Sequence, residues 1–198
     1  MRIPLHATLA ALVLPAALLS PVATQASTVV HACAHAATAI DPSLGPQHRQ
    51  LAALAGCWRV RQTMWTQPDA TPAIDHGTAT ITPVLGGRHL RQDLRIDAAG
   101  KPFQGLGYLG YDDASQRYDS TWMDINFTGM ILAHGDYDAA GHRYTFRGEM
   151  ADPKHAGATS PLREVLHVQD PDHFTYEYYE RHDGAEMLAV RLEYERAH

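Results

Sequence analysis

The sequence predicts an all-β protein: an antiparallel, up-and-down β-barrel of about ten strands with a short N-terminal helix. Three observations lead there. From Cys57 onward the apolar residues recur with a period of two, as half-buried strands require. Turn residues recur about one strand length apart, joined by loops of hairpin length. A meander this long also tends to curl, because closure removes its unpaired edges. A two-sheet sandwich has the same strand spacing and stands as the alternative.

Taken in order, Met1–Ala26 reads as a secretory signal peptide. Arg2 is the positive start, Ala7–Leu19 the apolar stretch, and Thr24-Gln25-Ala26 the small-residue cleavage site. The apolar stretch is too short for a spanning helix, which needs about 20 residues. Residues 27–45, rich in Ala, His, Thr and Pro without a period, read as a mobile tail, and 46–198 as one domain. The expected location is outside the cytoplasm, periplasmic or secreted, with no integral membrane segment once the signal is removed.

Pro46–Ala55 predicts the helix: Pro46 suits a first turn, Leu51 and Leu54 share a face, and Gly56 supplies a left-handed stop. Ten strands come after it, over Cys57–Thr66, Ile74–Leu85, Arg88–Ile96, Pro102–Asp112, Arg117–Ile125, Gly129–Asp138, His142–Met150, Pro161–Gln169, His173–Arg181 and Glu186–Arg196. Alternation turns Tyr144, Phe146 and Met150 inward, then Leu162, Leu166 and Val168, then Phe174, Tyr176 and Tyr178, then Leu188, Val190, Leu192 and Tyr194.

The chain has 198 residues, of which 45% are hydrophobic, enough for a core. Its 16 Lys+Arg against 22 Asp+Glu leave a net charge of -6, which argues against a nucleic-acid partner. Gly105-Leu106-Gly107-Tyr108-Leu109-Gly110 has the lettering of a dinucleotide-binding turn. That motif needs a strand leading into a helix, and here the next element is another strand. A glycine-rich strand that lets a neighbour approach closely is the better reading.

Glu164 shares the inward face of Leu162, Leu166 and Val168. A buried carboxylate needs a partner, and Arg88, on one face with Gln92 and Leu90, is the best candidate for it. Arg88, Gln92 and Glu164 are therefore possible polar anchors in a ligand cavity, or an internal ion pair that only holds the barrel. Tyr118, Ser120, Trp122 and Asp124 alternate along one strand, so Trp122 could be a stacking wall and Asp124 a general base. Met123 and Ile125 make the opposite face equally apolar. Trp58, Trp122, Tyr176 and Tyr178 could line a cavity for which Gly105, Gly107 and Gly135 leave room.

The histidines show no firm ligand spacing except His31-Ala32-Cys33-Ala34-His35, a weak metal-binding pattern. Cys33 and Cys57 are the only cysteines, and an exported chain meets oxidising conditions, so a disulfide between them competes with metal for Cys33. No resident metal or other cofactor is expected.

Leu54-Ala55-Gly56-Cys57-Trp58, Leu85-Gly86-Gly87-Arg88, the Gly105–Asp112 run and Ser120-Thr121-Trp122-Met123-Asp124 succeed one another in order. The set resembles the bacterial family called "domain of unknown function 1579", over about Leu51–Arg196. The resemblance implies an antiparallel, lipocalin-like barrel and no particular activity. That family usually has Thr or another small polar residue where Cys57 stands, a departure that fits a chain-specific disulfide.

Three functions remain open at this point. One is an exported barrel binding a small apolar or amphipathic molecule. The second is an enzyme using Glu164 or Asp124 as acid/base, and the third is metal handling through the His/Cys tail.

Overall fold

A computed structural model describes residues 40–152, 155–182 and 184–198. The tail motif around Cys33 and the segment Met1–Ala26 lie outside the described residues. Helix α1 is Pro46–Ala52, and the strands are β1 (Gly56–Met64), β2 (Ala73–Val84), β3 (His89–Ala98), β4 (Lys101–Asp112), β5 (Arg117–Asp124), β6 (Ile131–Asp138), β7 (Arg143–Ala151), β8 (Thr159–Asp170), β9 (His173–His182) and β10 (Ala185–Arg196). Each strand pairs antiparallel with its sequence neighbours, and β1 pairs with β10, so the ten strands form a closed barrel rather than a sandwich.

The turns are dictated by their residues. Between β3 and β4, Ala99 and Gly100 both take positive φ (51° and 79°), the two-residue hairpin whose twist matches the flanking strands. Asp112 accepts hydrogen bonds from the backbone N–H groups of Ala114 and Ser115, and Asp138 from that of Ala140. Such Asx turns give the reversing chain a local partner for its backbone groups. Helix α1 is shorter than its sequence pattern, because its last turns tighten. Leu54 and Ala55 donate three residues back, to Leu51 and Ala52, before Gly56 turns the chain at φ 144°.

One end of the barrel is plugged. Trp58, 1% exposed, meets Phe174 edge-on at 4.7 Å and donates its indole N–H to the Leu54 carbonyl. Phe174 in turn stacks on Tyr194 at 4.0 Å. Tyr118, Tyr137 and Tyr144 fill the neighbouring sector, and Leu51 and Leu54 cover the end. Arg196 lies over the outer face of Trp58 and donates to the carbonyls of Ala53, Ala55 and Pro171. It ties the helix end to the β8–β9 loop. Trp58 is thus part of this plug and not a cavity wall, because its position near the start of β1 puts it at the closed end.

Alternation holds along most strands but breaks in β10. A bulge between Leu188 and Val190 sets Leu188 opposite Tyr179 and Met187 opposite Glu180. Two residues on the bulged strand then oppose one on its partner, which reverses the facing beyond it. Met187 is buried in place of Leu188, which the sequence pattern turns inward. Among the described residues no helix is long and apolar enough to cross a membrane.

Candidate functional site

The half of the barrel away from the plug is hollow. A cavity of about 390 Å³ opens there, within the range of small-molecule sites. Its wall is layered. Nearest the plug, Gln62, Gln92, Ser120, Glu164 and Tyr176 form a polar floor. Toward the open end, Met64, Phe103, Trp122, Phe127, Met150 and Val190 form an apolar wall.

The cavity has room because of the glycines on β4. Gly107 pairs with Trp122 across the β4–β5 ladder, and Gly105 with Asp124. A Cβ on Gly105 would collide with Cζ2 and Cη2 of the indole, and one on Gly107 would lie 3.0 Å from Cε3. The Trp122 ring therefore lies flat against bare backbone. The lettering that resembles a dinucleotide turn is an unbroken strand, and its glycines seat a tryptophan. Gly135 differs: a Cβ there would run into the Thr145 backbone, so it serves close strand approach and not the cavity.

Asp124 fixes the other edge of the indole. Its Oδ2 accepts the Trp122 N–H at 2.9 Å, and its Oδ1 accepts the Asn126 backbone N–H at 2.8 Å. Both oxygens are engaged, so Asp124 acts as a strut for Trp122. The equal apolarity of the two β5 faces is also resolved. Ser120, Trp122 and Asp124 face inward, while Ile125, just past the strand, is 59% exposed.

Glu164 is 1% exposed and lines the floor. Burial holds its carboxyl above the usual carboxylate range, opposed by hydrogen bonding to the Ser120 and Tyr176 hydroxyls. Its Oε2 has no hydrogen-bond partner. Facing Glu164, the Tyr176 hydroxyl is pushed well above the ordinary phenol value, first by burial and then by that carboxyl. Gln92 donates to the Tyr194 hydroxyl at 2.8 Å, which anchors the floor to the plug. Tyr178 donates to Met150 Sδ, and its hydroxyl is raised by burial and by the fields of Glu180, Glu164 and Asp124.

Arg88 is absent from this site. It precedes β3 in a helical conformation, φ -66° and ψ -29°, so strand alternation does not extend to it. Its side chain is 51% exposed, pairs with Asp41 at 3.2 Å and donates to the Leu85 carbonyl. The expected Arg88–Glu164 ion pair does not form. Gln92, Trp122, Asp124, Glu164 and Tyr176 do converge on one cavity. The sequence reading misses Gln62, although it shares the parity of Trp58, Val60 and Met64 along β1. It also misses Phe127, which lies in a loop, where no period applies.

Cys57 is buried at the start of β1, its sulfur 4.0 Å from Thr80 Oγ1. Cys33 lies outside the described residues. Among the described residues no group of three or more His, Cys, Asp or Glu could hold a metal ion.

Fold and site together define a closed, ten-stranded antiparallel barrel, plugged at one end and hollow at the other. The sequence profile of a protein family of unknown function, DUF1579, matches residues 43–196, and the chain belongs to that family. No curated protein matches the chain closely enough to count as a relative.

Proposed function

We propose that this protein is an exported, lipocalin-like carrier or receptor that binds one small, largely apolar molecule in the open half of its barrel. The observation that carries the reading is the layered cavity. A wall of Met64, Phe103, Trp122, Phe127 and Val190 stands over a floor with an unpartnered Glu164 oxygen. Buried polar groups normally find partners, and an orphan acceptor beside an open cavity is what a ligand would complete. Removal from the cytoplasm is supported by the signal-like segment Met1–Ala26.

The reading is tested with N-phenyl-1-naphthylamine, a neutral probe that fluoresces in apolar surroundings. Saturable enhancement at one probe per chain, weakened by Trp122→Ala, is expected. No enhancement with the folded protein, or enhancement indifferent to Trp122, would overturn it. The acid/base reading is less favoured for Asp124, because both of its oxygens are committed to Trp122 and Asn126.

A further inference from the structure

The charges around the cavity are of one sign. Of its lining residues three are acidic, Asp124, Glu164 and Glu180, and among the described lining residues none is Arg, Lys or His. Several arginines of the adjoining strands pair outside the cavity lining: Arg163 with Glu186, Arg191 with Glu177 and Arg61 with Glu193. Their charges do not neutralise the lumen. All three acidic groups line the same cavity as Tyr178, whose hydroxyl is raised by burial first and then by these carboxyls.

Two further features belong to the same region. Glu164 Oε2 is buried without a partner, and the terminal bond of a carboxyl turns readily to present either oxygen. The Trp122 ring, backed by Gly105 and Gly107, has its opposite face turned to the lumen that Tyr176 and Tyr178 also line. An anionic head on this floor would meet aromatic faces and, once Glu164 has lost its proton, a carboxylate, both unfavourable to negative charge. An ammonium would meet an acceptor without a partner, the hydroxyls of Ser120 and Tyr176, and π faces that attract cations.

We propose, on the basis of the binding reading above, that the ligand is an amphipathic organic cation, a primary or substituted amine on an apolar body. It enters head first, its ammonium pairing with Glu164 on the floor and its apolar body lying against Met64, Phe103, Phe127 and Val190. The acidic Glu180 and Asp124 draw the cation toward the lumen.

The pairing has a pH signature. The groups that face Glu164 are Ser120 from β5, Tyr176 and Tyr178 from β9 and Phe146 across the β7 ladder, with Asp124 and Glu180 the remaining carboxyls of the cavity. Glu164 holds its proton to a higher pH than an exposed glutamate does, because of burial. Amine affinity therefore rises as pH increases through the Glu164 titration, while affinity for an uncharged alcohol does not.

The experiment displaces N-phenyl-1-naphthylamine from the full mature chain with decylamine, decanol or decanoate, each below its aggregation concentration. Decylamine is expected to displace the probe at about one-tenth the concentration decanol needs, and decanoate to be the weakest. In Glu164→Gln, and in the apolar Glu164→Met as a second variant, the preference for amine over alcohol should vanish. Equal potency of alcohol and amine, the strongest displacement by decanoate, or an amine preference that survives in either folded variant would overturn this proposal and leave the binding reading standing. Failure of the probe itself to bind would overturn both. Should neither variant fold, the wild-type pH series decides, and a flat amine response refutes the pairing.

Discussion

Gly105 and Trp122 form a single unit across the β4–β5 ladder: the indole occupies the space that any side chain at Gly105 would need. The cavity wall therefore depends on a residue with no side chain. Gly105→Ala forces the ring into the lumen or bends β4, and overpacking of this kind costs about 1–3 kcal/mol. At roughly 2–4 °C per kcal/mol for a domain of this size, the melting temperature should fall by several degrees. In a Trp122→Leu background the same change should cost much less, because the clashing ring is gone. A thermal double-mutant cycle checks this, and additive losses would show that the two residues do not act together.

Glu164 should make stability depend on pH with a particular sign. Burial raises its folded-state value above the ordinary 4.5. Below that ordinary range both folded and unfolded chains hold the proton, and the group contributes nothing. As pH rises through it, only the unfolded chain ionises, so stability falls until pH passes the raised folded value. Glu164→Gln removes this fall. As pH rises above the ordinary carboxylate range, the melting temperature of the variant should therefore gain steadily on that of wild type. Parallel melting curves over that rise in pH would count against it.

Asp124→Ala should loosen Trp122 without unfolding the barrel. It removes the acceptor of the indole N–H and of the Asn126 N–H. Each such bond contributes about 0.5–1.5 kcal/mol. The near-ultraviolet circular dichroism of tryptophan should weaken, and probe affinity should drop severalfold. Asp124→Asn retains a side-chain acceptor and should recover most of both signals.

Arg88→Ala tests the corrected position of Arg88. Its exposed pair with Asp41 is of a kind that contributes about 0–1 kcal/mol. Probe binding should be unchanged, in contrast to Trp122→Ala, and a large loss of binding would restore Arg88 to the site.

Export and the cysteines are checked on the natively produced protein. N-terminal sequencing should begin at Ser27, and thiol titration under denaturing conditions should find no free thiol if Cys33 and Cys57 are joined. An intact Met1 in the cytoplasm, or two reactive thiols, would refute the respective expectation.

The strands are legible in the sequence because a half-buried strand has a local rule. Side chains alternate, and the residues that reverse the chain are short and polar or lack a side chain. That rule locates all ten strands to within about two residues, and it faces Gln92, Trp122, Glu164 and Tyr176 inward. It also separates the glycines of β4 from a phosphate-binding turn, since the next element in the chain, β5, is a strand and not a helix. Only the tertiary structure decides matters that a period cannot express. The closure of β1 on β10 is a pairing between chain ends and leaves no local trace. Arg88 has the right parity but lies outside the strand, and the bulge at Ala189 reverses Leu188 by inserting one residue. Which inward residues plug the barrel and which line a cavity depends on their height along its axis. Trp58 and Trp122 are alike in sequence pattern, yet one packs under the helix end and the other against bare glycine backbone in the open half. Alternation gives the face of a strand; the height at which that face meets its neighbours is set by the stagger of all ten strands together.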